Sequence, residues 1–94
     1  MGYRILYHPK VEDDDIPALP GTVIQRVKKA IDERLLTRPD MYGKSLRKGL
    51  SGYRKLRIGD WRIIYRIDDN EVKIIMIAHR SKVYGLVFDR MPSV

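Results

Sequence analysis

YRKLRIGDWRIIYRIDDNEVKIIMIAH, residues 53–79, holds three runs of branched and aromatic residues separated by two turn signals. Tyr53 to Ile58, Trp61 to Ile67 and Val72 to Ala78 have the composition and length of strands. Gly59-Asp60 puts glycine first, as a two-residue type II′ turn needs, and Asp69-Asn70 tolerates the left-handed conformations of type I′. The stretch predicts an antiparallel meander.

Two-residue turns fix the register, with Ile58 facing Trp61, Arg57 facing Arg62, Asp68 facing Glu71 and Ile67 facing Val72. Side chains alternate at period two, so one face collects Leu56, Ile58, Trp61, Ile63, Tyr65, Ile67, Val72, Ile74, Met76 and Ala78. That is a core face. The other collects Tyr53, Lys55, Arg57, Arg62, Ile64, Arg66, Lys73, Ile75, Ile77 and His79. There Arg57 opposes Arg62 and Arg66 opposes Lys73, which is destabilising, and no carboxylate of that face relieves it. Long cations can splay into water and cover the isoleucines with their stems. Facing cations, an apolar patch, flanking tyrosine and histidine, and a basic chain together point instead to a bound anion. Phosphate would satisfy Arg57 and Arg62 through forked hydrogen bonds, with Lys55 as a point charge beside them. Tyr53 or Tyr84 could then stack a base of single-stranded RNA.

Working back from the meander, Arg38 to Gly52 reads as a long loop with three glycines, a proline and basic residues, and loops of that length usually have a job. Before it, Ile24, Val27, Ile31 and Leu35 recur on one stripe, and Thr22 with Gln25 makes a capping-box pair. A helix from Val23 to Leu36, ending before Pro39, is expected. Tyr3 to Tyr7 alternates as a short first strand. His8-Pro9 starts a helical turn with Glu12 to Asp15 solvated near its positive end, and Pro17 closes it. The tail, Gly85 to Val94, could pack as a strand or a short helix. The order β-α-α-β-β-β gives an α+β domain, a helical hairpin on one face of a small antiparallel-dominated sheet.

The totals set limits. Ninety-four residues make one domain, 1–94, with 44% hydrophobic and 33% charged side chains. The absence of cysteine excludes disulfides, thiolate metal sites and a cysteine nucleophile. No apolar run reaches the roughly 18 residues of a membrane span, and MGYRILYHPK has no signal-peptide core, so a soluble cytoplasmic protein with no membrane partner is expected. A net charge of +7 favours nucleic acid or an acidic protein as partner. No metal-ligand spacing, glycine-rich phosphate loop or serine triad pattern is present.

The block SLRKGLSGYRKLRIGDWRIIYRIDDNEVKIIMIAHRSKVY, residues 45–84, resembles the RelE side of the RelE/ParE toxin superfamily. The motifs follow in that family's order: leucine-arginine, aromatic-basic, leucine-arginine-x-glycine-aspartate-aromatic-arginine, x-x-tyrosine, histidine-arginine and valine-tyrosine. The resemblance implies a RelE-like fold and a type II toxin–antitoxin system, with a cognate antitoxin that wraps and neutralises the toxin. It implies cleavage of mRNA in the ribosomal A site without metal or other cofactor, and contact with operator DNA only through the toxin–antitoxin complex. By position, Lys55, Arg62, Arg80 and Tyr84 are the expected catalytic residues. Tyr53, Arg57, Arg66, Lys73, His79 and Arg47 are the expected RNA contacts.

Arginine does not deprotonate at neutral pH, so the base must be Lys55, His79 or a tyrosine. Crowding by Arg57, Arg62 and Arg80 should disfavour the protonated form of Lys55 or His79, and Lys55 is the first choice. His79 could instead be held by Asp60, which lies opposite it in the expected register. Two other functions fit the same fold and charge. One is a ParE-like inhibitor of DNA gyrase without RNase activity; the other is a non-catalytic RNA-binding module.

Overall fold

The computed structural model describes residues 2–46 and 52–90. Its centre is the expected meander, β3 (Tyr53–Ile58), β4 (Trp61–Asp68) and β5 (Glu71–His79). Two edge strands complete a five-stranded sheet in the order β1-β5-β4-β3-β2. β1 (Arg4–Tyr7) runs parallel to β5, and β2 (Lys44–Ser45) runs antiparallel to β3. β2 falls inside the stretch read as loop.

The β3–β4 register is the expected one, from Ile58 against Trp61 to Tyr53 against Arg66. Gly59 has φ +60 at the first turn position, as a type II′ turn requires. The second turn differs from expectation: Asp69 has φ +54 but Asn70 is not left-handed, so it is not type I′.

A bulge divides the β4–β5 ladder. Tyr65 faces Ile74 as expected, but the next pair is Ile64 with Met76, leaving Ile75 as the extra residue. One extra residue reverses the parity of everything beyond it. Met76 and Ala78, expected under the long helix, therefore face the other way. Ile77 and His79, expected on the cationic face, share a face with Ile63 and Trp61 instead.

The core is consequently split. On one side α1 (Gly21–Ala30) and the wide helical turn Ile31–Leu35 that continues it pack Val23, Val27, Ile31 and Leu35 onto Leu56, Ile63, Tyr65, Ile74 and Ile77. The helix starts at Gly21, so Thr22 lies inside its first turn and makes no side-chain cap; the capping box does not form. On the other side α2 (Val83–Arg90) lays Val83 and Val87 over Tyr53, Ile64, Ile75 and Met76. The tail is thus helical as far as Arg90. None of the described helices is long and apolar enough to cross a membrane.

The acidic run does not stay in water throughout. Val11–Asp15 forms a wide helical turn that passes directly into a tight turn, Ile16–Ala18, with Pro17 in its first turn. Asp15 sits at its end, 10% exposed, where β1 has stopped pairing at Ile74 and the outer edge of β5 is open. Its Oδ2 accepts the Ile77 amide at 2.9 Å. Arg90 donates to Asp15 Oδ1 at 3.1 Å and to the Ile75 carbonyl at 3.1 Å. Backbone groups that would otherwise be buried without partners are met by a side-chain ion pair, which ties α2 across the sheet edge to the N-terminal turn.

Candidate functional site

Strand pleating projects Lys55 and Arg57 from β3 and Arg62 from β4 onto the face that α2 partly covers. Arg57 lies directly opposite Arg62, as expected. A further like pair went unnoticed in the sequence: Lys44 of β2 stands directly opposite Lys55. Four cations therefore line the uncovered end of one sheet face. Beside them lies a groove of about 400 Å³ that Met41 and Tyr42 also line.

Lys55 Nζ donates a 2.7 Å hydrogen bond to Tyr84 Oη and lies 5.3 Å from the ring centroid. The exposed Tyr84 is delivered by the first turn of α2, whose Val83 is fully buried. Arg62 is fixed by Nη1, which donates to the carbonyls of Gly59 at 2.8 Å and Trp61 at 2.9 Å. Arg57 is exposed and makes no hydrogen bond or ion pair with any described residue. Arg80 stands at the rim beside the β3–β4 turn, its amide bonded to the Asp60 carbonyl and its guanidinium 3.6 Å from the Asp60 carboxylate. The carboxylate expected to face His79 thus belongs to Arg80.

Other expected contacts are placed differently. Tyr53 is 7% exposed and packs in the α2 core, so its ring cannot receive a base. Arg66 lies over that ring at 5.8 Å, on the α2 side. Lys73 is in register with Arg66 as expected, but Asp68 relieves it through a 3.1 Å ion pair. The bulge puts His79 opposite Trp61, edge to face at 5.3 Å, with Nδ1 2.8 Å from Ser81 Oγ. It is a strand-end residue of the α1 face. Arg47 lies outside the described residues.

The groove wall owes its shape to two residues from the strands. Tyr65 Oη donates to the carbonyls of Pro39 at 2.8 Å and Tyr42 at 2.6 Å, and burial raises its pKa against the opposing influence of Arg54. Arg54 donates to the carbonyls of Asp40 at 3.1 Å and Gly43 at 3.3 Å and to Ser45 Oγ at 3.2 Å. Gly43 passes so close, at φ +72, that a Cβ there would stand 2.5 Å from Tyr65 Oη and 2.9 Å from the Lys55 carbonyl. The available sequence signal was an aromatic beside a glycine, Tyr42-Gly43, in a loop already suspected of a function. Among the described residues no three histidine, aspartate or glutamate side chains are grouped to hold a metal ion.

Comparison with known proteins adds four findings. Residues 5–84 match the family model described as the ParE toxin of type II toxin–antitoxin systems. Over 74 residues, 77% of this chain and 76% of the relative, the sequence is 39% identical to Toxin RelE of Mycobacterium tuberculosis. The fold superposes with a TM-score of 0.77 on the toxin–antitoxin complex RelBE2 of M. tuberculosis, at 30% identity, covering 85% of this chain and 100% of that one. It also superposes on a free mutant of the Escherichia coli toxin RelE, with a TM-score of 0.76 at 24% identity over 97% of this chain and 99% of the other.

Proposed function

Because this chain belongs to the RelE/ParE superfamily of type II toxin–antitoxin toxins, we propose that it is a RelE-like endoribonuclease that cuts mRNA in the ribosomal A site and so stops translation in the cytoplasm. The observation that carries this reading is the Lys55–Tyr84 hydrogen bond beside Arg57 and Arg62 on one sheet face. An amino group joined to a phenol by a hydrogen bond can move protons; two facing guanidinia can hold a phosphate between them. A protein that only binds gyrase needs neither in that arrangement.

In the reaction the 2′-hydroxyl attacks its own adjacent phosphorus. The P–O2′ bond forms as P–O5′ breaks, leaving a 2′,3′-cyclic phosphate and a 5′-hydroxyl. Lys55, as the base, takes the proton from O2′ and Tyr84 gives its own to O5′. Transfer from Lys55 to Tyr84 along their hydrogen bond then restores both. Arg57 and Arg62 take up the charge that builds on the non-bridging oxygens, help that is often the largest single contribution to catalysis. Arg80 reaches the same phosphate by leaving Asp60. His79, turned to the α1 face and engaged with Ser81, has no part in this scheme. The ribosome supplies in-line positioning of the strand.

The partner follows from the same family. The solved M. tuberculosis relative is a toxin–antitoxin complex, and this chain is expected to have a cognate antitoxin that restrains it, with operator DNA bound only by the complex.

The test is to map mRNA 5′ ends after adding the protein to a translating extract. Ribosome-phased cuts are expected, and Arg62→Ala should reduce them by about 100-fold or more. Full cleavage by that variant would sink the assignment. The matching family model is that of ParE toxins, so a gyrase supercoiling assay runs in parallel. Inhibition of gyrase with no cuts would establish that second reading. Salt-dependent RNA binding with neither effect would mark a non-catalytic RNA-binding module.

A further inference from the structure

Tyr42 is 40% exposed and its neighbour Met41 65%. Two large apolar side chains standing together in water call for an explanation when the backbone beneath them is so firmly held. The Tyr42 carbonyl accepts hydrogen bonds from Tyr65 Oη at 2.6 Å and Arg54 Nε at 3.4 Å. The Arg34 guanidinium, from the turn that continues α1, lies over the ring 5.8 Å from its centroid. The crowding at Gly43 removes further freedom from the chain. Tyr42 therefore stands on firmly held backbone, and it lines the groove together with Lys44, Lys55, Arg57 and Arg62.

Resting on the RNA-cleaving reading above, we propose that Tyr42, with Met41 beside it, is a base-stacking platform for single-stranded RNA, on which one nucleobase lies while Lys44 and Arg57 hold flanking phosphates. Stacking on an aromatic side chain combined with cations along the backbone is how single strands are held without base-edge readout. Arg34 supports the ring and adds a guanidinium plane to the stack. A protein partner fits less well. The apolar surface is only two side chains wide, and Lys44 and Arg57 make no ion pair with any described residue. The platform also replaces Tyr53, the ring that the sequence offered for this role and the fold buries.

The test uses the full chain and a short oligoribonucleotide carrying 2-aminopurine, whose fluorescence is quenched when it stacks, at low ionic strength. Wild-type protein should quench it, and Tyr42→Phe should do the same. Tyr42→Leu keeps side-chain bulk and the backbone hydrogen bonds, so its melting temperature should be unchanged. It should abolish most of the quenching and weaken binding by roughly tenfold, with the salt dependence intact. Arg57→Ala should do the reverse, lowering the salt slope by about one while quenching persists.

Absence of quenching by wild-type protein overturns the platform, as does wild-type quenching and affinity in Tyr42→Leu. Antitoxin binding lost in Tyr42→Leu while RNA quenching is unchanged assigns the ring to a protein partner and overturns it as well. The two readings fail separately. Quenching without mRNA cuts removes the nuclease and leaves the platform, whereas cuts with no role for Tyr42 remove the platform alone.

Discussion

Lys55 of β3 and Tyr84 of α2 are joined by a 2.7 Å hydrogen bond that spans 29 positions of sequence. The bond depends on packing as much as on chemistry, because Tyr84 is flanked by Val83, which anchors α2 over Ile64 and Met76. Position of the helix and geometry of the Lys55–Tyr84 pair are one variable.

If the pair works as a unit, its two halves should not contribute additively. Lys55→Met and Tyr84→Phe are each expected to lower single-turnover mRNA cleavage by about 100-fold or more, and the double variant should be little worse than the poorer single one. Tyr84→Phe retains the ring beside the ammonium, so RNA affinity should change less than the rate. Multiplicative losses in the double variant would mean that the two residues act independently.

Gly43 and Tyr65 should be coupled in stability. Gly43→Ala forces a Cβ to within 2.5 Å of Tyr65 Oη at a φ of +72, which should cost about 2 kcal/mol or more in urea unfolding. Tyr65→Phe removes the hydroxyl, leaves the Pro39 carbonyl without its donor and leaves the Tyr42 carbonyl only the longer bond from Arg54, at about 1–3 kcal/mol. In the Tyr65→Phe background Gly43→Ala should cost less than alone, since one of its two collisions is gone. Simple additivity would mean that the Lys55 carbonyl and the φ angle dominate.

The Asp15–Arg90 pair, each side chain 10% exposed, ties α2 to the N-terminal turn. Asp15→Ala removes an acceptor from both Ile77 N and Arg90, and should destabilise the protein by about 3 kcal/mol. Hydrogen exchange should rise first in α2 and at Ile77. Because α2 carries Tyr84, mRNA cleavage should fall under conditions where the fold persists. An Asp15→Ala protein with native protection throughout α2 would show that Val83 and Val87 suffice to hold it.

How much of this was legible beforehand depends on the range of the contact. Strands β3 and β4, their turn and the facing of Arg57 and Arg62 followed from alternation and a two-residue turn, both local signals. The bulge at Ile75 was not legible, because a run of Ile74-Ile75-Met76-Ile77 is apolar at either parity and cannot report a slip of one residue. That single residue turned His79 away from the site. Burial of Tyr53 was hidden for a related reason: the helix that covers it comes from a tail whose secondary structure could not be decided. Lys44 and Tyr42 were missed because β2 is only two residues long, and the loop is shaped by Arg54 and Tyr65 rather than by its own pattern. Lys55 and Tyr84 were named together from the family's motifs, but nothing in the sequence set their distance.

The groove wall should also give way at alkaline pH, with Tyr65 as a cause that can be isolated. Burial raises its pKa above the ordinary tyrosine value of 10.0, with Asp40 adding to the rise and Arg54 opposing it. A folded value above the unfolded one means that the protonated hydroxyl is preferred in the native state. Its contribution is fully present below pH 10 and is lost as pH climbs through the folded value. Deprotonation removes the hydrogen that Oη shares with the Pro39 and Tyr42 carbonyls and sets a negative charge against both oxygens. Tyr7, raised by burial and by Asp32 and Glu12, adds a contribution of the same sign elsewhere. Stability measured by urea unfolding should therefore decline above about pH 10, and the decline should be shallower in Tyr65→Phe although that variant is less stable at neutral pH. An unchanged slope in Tyr65→Phe would mean that Tyr7 or other groups carry the alkaline transition and that the loop stays closed when Tyr65 ionises.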